Sequence, residues 1–178
     1  MREISDRKSE LKAEETSLSS RTEQDIQERF PRRKQIVARF GEIIEKLYGE
    51  AANLMISSGK SGPQFEVELP KTGSGGVQLM AIFAYDIAIS EDLAKRNAGP
   101  GFLIHDSGMF ADVDERQTAI ALEVAYSSAK AFGYQHIITM NSDNVPVEDF
   151  EDIEFFEDSI VLYLRDGDDS GRLLGQRI

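Results

Sequence analysis

Cysteine and tryptophan are absent from this 178-residue chain, and histidine occurs only as His105 and His136. Without thiols there is no disulfide framework and no thiolate metal site, and two imidazoles are too few for a histidine-rich zinc centre. The lack of cysteine also suits a reducing, cytoplasmic setting. Long hydrophobic runs are missing too. The apolar stretch Met80 to Tyr85 falls far short of the ~20 residues a membrane span needs, and the N-terminal MREISDRKSELKAEE has no apolar signal core. The expectation is a soluble protein with no membrane contact. Positive charge is scarce: 20 Lys and Arg stand against 32 Asp and Glu, a net charge of -12. That balance disfavours free-standing nucleic-acid binding, which relies on cations to replace the counterions of phosphate. DNA would have to be held indirectly, through a partner or a local patch. The 40% of hydrophobic residues is enough for one globular core with an appended helix.

Residues 1 to 30 are rich in Glu, Lys, Arg and Ser, and Ile4, Leu11 and Leu18 recur one heptad apart. This reads as a long polar helix, either one strand of a coiled coil whose partner supplies the rest of the seam or a solvated arm. Pro31 interrupts it. Ile36, Phe40, Ile43, Ile44, Leu47, Tyr48 and Ala51 then recur at three- and four-residue spacing, the apolar stripe of a helix that must dock on a core. The alternation of Phe65, Val67 and Leu69 after a Gly/Ser/Pro turn predicts a β-hairpin over 53–70. Val77 to Ile89, apolar nearly all round, predicts a buried helix. Phe102 to His105 reads as a short buried strand, Asp112 or Asp114 as the cap of a helix stopped by Gly133, and Tyr134 to Met140 as a second strand. Such a strand-helix-strand unit implies parallel strands. Ile160 to Leu164 and Arg172 to Gly175 flank a Gly/Asp turn and predict a second hairpin. The organisation is a helical arm over 1–52 and an α/β lobe over 53–178.

Gly59-Lys60-Ser61 looks like the end of a phosphate-binding P-loop, but Leu54 stands where the first glycine belongs, and a strand follows instead of a helix. A Ser-His-Asp hydrolase fits no better. There is no G-x-S-x-G elbow, and Ser107 stands two residues from His105 on one strand end, poor geometry for a relay. Arg29, Arg32, Arg33, Lys34 and Arg39 form the basic cluster, either a solvated helix face or a DNA-facing patch. In the acidic stretch 148–158, Phe150, Ile153, Phe155 and Phe156 either anchor a surface helix or dock a partner.

One ordered set stands out: Ser74-Gly75-Gly76 before a buried helix, a strand ending in His105-Asp106-Ser107, Asp112 and Asp114 before the next helix, and Thr139-Met140-Asn141-Ser142-Asp143 at a second strand end. In this order the elements resemble the C-terminal lobe of an ABC-type ATPase head of the SMC/RecN class, with a coiled-coil root, signature motif, Walker B strand, D-loop and switch strand. The run FLIHDS…DVDERQ…HIITMNSD is most similar to the uncharacterised SMC-like ATPases of bacterial three-component systems, over roughly residues 32 to 178. The resemblance implies an α/β lobe that binds ATP and Mg²⁺ only with a Walker A lobe, in cis or in trans, within DNA-associated or defence-related machinery. It implies ATP hydrolysis by the assembled head and none by this chain alone. A second copy across the signature face is a further implied partner.

The same resemblance assigns roles. Ser74 and the N–H groups of Gly75 and Gly76 would meet a γ-phosphate. Asp106 would serve Mg²⁺ or the attacking water. Asp112 and Asp114 would lie in the D-loop, and either would equally serve as a helix cap. The family's Asp-Glu pair is missing. Either His105-Asp106 fills its two positions, with Asp106 catalytic, or Asp106-Ser107 does, with no glutamate to activate water. The switch histidine is missing as well, which leaves Asn141 or Ser142 to sense the γ-phosphate. The alternative is a non-catalytic interaction module that keeps the lobe fold and assembles through its arm and acidic face.

Overall fold

The computed structural model describes residues 2–59, 62–69, 74–151, 153–165 and 171. Helix α1 (Arg2–Glu28) is the polar arm, and Ile4, Leu11 and Leu18 on it are all exposed. Pro31 falls in the first turn of α2 (Phe30–Tyr48), where its missing N–H costs nothing, so the proline restarts the helix. The stripe expected on α2 is buried at Ile36, Phe40, Ile43, Ile44 and Leu47 and partly buried at Tyr48, whereas Ala51 lies beyond the end of the helix and is exposed. Gly49, left-handed at φ 73°, closes the helix by donating its N–H to the Glu45 carbonyl.

Strands β1 (Asn53–Gly59) and β2 (Gly62–Glu68) form the antiparallel hairpin, with Leu54 opposite Val67 and Ile56 opposite Phe65. Helix α3 (Gly75–Lys95) is the centre of the core. Met80, Phe83, Ala84 and Ile87 are fully buried on it, against Phe40, Ile43 and Ile44 of α2 and Ala121 and Val124 of α4 (Glu115–Phe132). Each large side chain removed from water here contributes ~1.5–3 kcal/mol. The face of α3 toward the hairpin is less filled. A groove of about 490 Å³ lies between them, lined by Phe65, Val67, Val77 and Tyr85, and it leaves Ile82 half exposed.

Strands β3 (Phe102–His105) and β4 (Gln135–Ile138) are parallel, joined through α4, with Leu103 opposite His136 and Ile104 opposite Ile137. Leu103 and Ile138 pack on the core, whereas Phe102, Ile104 and Ile137 on the other face are 49%, 55% and 38% exposed. Parallel sheets are normally covered on both faces. Among the described residues, this one is covered on one.

Helix α5 (Glu154–Ser159) lies in the acidic stretch. Phe155 is buried against Tyr126 of α4, with ring centroids 5.2 Å apart, and Phe150 packs on both Phe155 and Phe156. These aromatics anchor a surface helix. The second hairpin is not formed among the described residues. Residues 161–165 have no ladder partner, Val161 is 95% exposed, and Arg165 donates its N–H to the Gly171 carbonyl at 2.7 Å. Its other arm, 172–175, lies outside the described residues, as does Lys60-Ser61 at the tip of the first hairpin. No described helix is long and apolar enough to cross a membrane.

The basic cluster is largely consumed internally. Arg29 pairs with Asp25, Arg32 with Asp92, and Arg39 with Glu91, while Arg33 donates to the Ile56 carbonyl. Lys34 is exposed. The DNA-facing reading of this patch therefore loses most of its free charge.

Candidate functional site

Asp106 follows the last residue of β3, exposed at the carboxyl end of a parallel strand. Its Oδ1 accepts the Gly108 N–H at 2.8 Å and caps the 3₁₀ turn Ser107–Phe110. A Cβ on residue 108 would lie 2.9 Å from that oxygen, so a side chain there would push the Asp106 carboxylate out of its capping position. The chain then reaches Asp112, a left-handed residue at φ 60°. Asp is among the few side chains that tolerate this region, and at such a position the conformation is imposed by the packing around it.

That packing comes from α3. A Cβ on Gly76 would fall 2.8 Å from the Asp112 carbonyl carbon and 3.1 Å from the Val113 Cα. Gly76 is a glycine because the first turn of the helix lies flat on this backbone. Asp112 Oδ2 stands 3.9 Å from where a Gly75 Cβ would be, beside the positive end of the helix. Ser74 occupies the N-cap position in extended conformation, but its hydroxyl makes no capping bond, and both Ser74 and Gly75 are exposed. Asp114 is a helix cap: its Oδ1 accepts the Arg116 N–H at 3.1 Å and the Arg116 Nε–H at 3.2 Å. Burial, with the charge of Asp114 second, raises the nearby Tyr48 hydroxyl above its usual range.

The ladder runs past β4, where Thr139 donates its N–H to the His105 carbonyl at 3.1 Å. Asn141 therefore lies just beyond the strand end next to Asp106, exposed, with Ser142 opening the next 3₁₀ turn. The turn that starts at Asp106 meets the first residues of α3 at Asp112, and the strand end bearing Asn141 runs beside the end of β3.

His105 is not exposed there. It is 4% exposed and points inward, its Nε2 3.2 Å from Asp86 Oδ2 and its Nδ1 3.1 Å from His136 Nε2. Successive strand residues face opposite ways, so His105 and Asp106 do not act side by side. Ser107 is exposed, and neither imidazole bonds to it. Burial, reinforced by His105, lowers the His136 imidazole to about 4, with Asp86 pulling the other way.

Sequence reasoning passed over Asp86, Glu91 and Gly108. The first carried a signal, being the lone carboxylate in the nearly all-apolar run Val77 to Ile89. Glu91 is 1% exposed, gripped by Arg39 through both carboxylate oxygens and by the Ser128 hydroxyl at 2.7 Å, and Ser128 in turn bonds the Tyr134 hydroxyl at 2.9 Å.

The fold and this site define a mixed helix and small-sheet module whose polar groups gather where strand ends meet a helix N-terminus. The chain belongs to a family of uncharacterised proteins conserved in bacteria, DUF2326, whose model matches residues 43–178. No curated protein matches the chain.

Proposed function

We propose that this chain is the signature and Walker B half of an SMC-like ABC ATPase head, completing a composite ATP site with a Walker A lobe supplied in cis or in trans. The observation that carries the reading is the seat of Gly76 on Asp112, which lays the first turn of α3 beside the turn that follows Asp106. A helix N-terminus with an unengaged serine hydroxyl suits a terminal phosphate. An exposed carboxylate at the end of a parallel strand suits Mg²⁺-bound water. Among the described residues no group of three or more His, Asp or Glu could hold a metal ion by itself, so Asp106 would supply one contact and the phosphates and other lobe the rest. When bound, ATP and Mg²⁺ supply the transferable phosphoryl group and its charge neutralisation. The residues of this chain then orient: Ser74 and the Gly75 N–H donate to phosphate oxygens, Asp106 accepts from water, and Asn141 or Ser142 reads the phosphate. The outer face of the β3–β4 sheet, uncovered among the described residues, supports a second lobe seated there.

A second reading, a non-catalytic assembly module with the same fold, is favoured by the serine that follows Asp106 and by the inward turn of His105. One experiment separates them: mix the chain with its Walker A lobe, with and without ATP-Mg²⁺, and follow mass and phosphate release. Association that requires ATP and fails in Ser74→Arg, with turnover lost in Asp106→Asn, supports the ATPase. Association indifferent to nucleotide and to both substitutions overturns it.

A further inference from the structure

The line Asp86, His105, His136 has no task in binding phosphate, yet its middle member, His105, immediately precedes Asp106. It joins three elements, with Asp86 on α3, His105 at the end of β3 and His136 on β4. The partners decide where the protons sit. A carboxylate only accepts, so the His105 Nε2–H donates to Asp86 Oδ2 at 3.2 Å. A neutral imidazole then has a bare Nδ1, and His136 Nε2, 3.1 Å from it, must be the donor. That leaves His136 Nδ1 as a lone pair, and this atom is the buried side-chain nitrogen without a partner among the described residues. The reverse assignment would strand a buried N–H donor there, the costlier orphan. Phe83 packs against both rings, at 5.3 Å from His105 and 6.2 Å from His136, and holds their planes.

The end of β3 needs such a hold. The strand is four residues long, and among the described residues its ladder partner is β4, so backbone bonding alone fixes it weakly. We infer that Asp86 and His136 are positioning residues for Asp106, clamping the end of β3 through His105 onto the helix whose first turn carries Ser74. The two halves of the candidate site thereby keep one separation. The consequence for ATP turnover rests on the composite ATPase reading; the clamp itself does not.

The test is long-range ¹H–¹⁵N correlation on the two histidines of the full chain, with backbone amides recorded alongside. In wild type, both rings are expected in the Nε2–H tautomer, and the ¹⁵N shift of His136 Nδ1 is expected at the value of an unbonded lone pair. Asp86→Ala should mix the tautomers of His105, shift the resonances of His136 beyond it, and move the Ser107 and Gly108 amides that follow Asp106. Asp86→Asn, which keeps an acceptor, should restore all three. A wild-type His105 in the Nδ1–H form overturns the relay. So does an Asp86→Ala spectrum in which His136 and the Gly108 amide stay in place. In the assembled ATPase, Asp86→Ala should lower kcat ~10-fold at unchanged KM, as loss of a group that orients a functional neighbour does. If the wild-type assembly has no turnover, the ATPase reading falls while the spectra still decide the clamp.

Discussion

Gly76 lies against the main-chain carbonyl of Asp112 so closely that any side chain at position 76 would occupy space already filled by that peptide group. Replacing it tests how rigidly α3 is seated. Gly76→Ala is expected to cost ~1–3 kcal/mol, the usual range for overpacking, read as a lower midpoint in urea unfolding. Gly75→Ala, where the nearest neighbour is Asp112 Oδ2 at 3.9 Å, should change stability by less than ~0.5 kcal/mol.

His136 makes stability depend on pH. Burial lowers its imidazole to about 4 in the folded chain, against an ordinary value of 6.5, so between those values the unfolded chain binds the extra proton. Stability is therefore full above about pH 6.5, falls as the pH drops through the window, and stops falling on this account below about 4. The loss is on the order of 3 kcal/mol. His136→Phe should remove one proton from the slope of unfolding free energy against pH across that window.

Arg39 and Glu91 are unequal partners. The carboxylate is 1% exposed and the guanidinium side chain 34%, so removing the cation strands a buried charge, whereas removing the carboxylate leaves an arginine that reaches water. Arg39→Met should cost about 3 kcal/mol, the low end for breaking a buried pair. Glu91→Gln, which keeps a bonding partner for Ser128, should cost ~1–2 kcal/mol. Chemical denaturation of both variants and of the double variant measures the coupling.

Ile104 on the bare face of the parallel sheet is 55% exposed. Ile104→Thr should leave the unfolding midpoint within ~0.5 kcal/mol of wild type and weaken association with a Walker A lobe, measured by titration in the presence of ATP. Unchanged affinity would mean that this face is not where the second lobe sits.

The parts of the fold legible in the sequence are those with one dominant physical signal. The 3.6-residue stripe from Ile36 to Leu47, the alternation through Phe65 and Val67, and the Asp114 to Gly133 cap pair each announce an element, and each element forms. Ile160 to Leu164 carries an equally strong strand signal, but its expected partner, 172–175, lies outside the described residues, so no ladder is described for it. The site shows the same division. Asp106 and Ser74 were legible as residue types at element ends, whereas the direction of His105 follows from a strand register decided by Leu103 and Ile138 in the core. Gly76 was legible as a glycine with a reason, yet the occupant of the space it leaves is the Asp112 backbone.

Helix α3 has 21 residues, about 30 Å of stiff rod. Near its far end, Asp92 and Glu91 are bolted by Arg32 and Arg39 to α2, which follows the arm after Arg29. At its near end, Gly76 bears on Asp112. A rod fastened at one end and seated at the other acts as a lever: a tilt of α2 would be carried along α3 to the turn after Asp106.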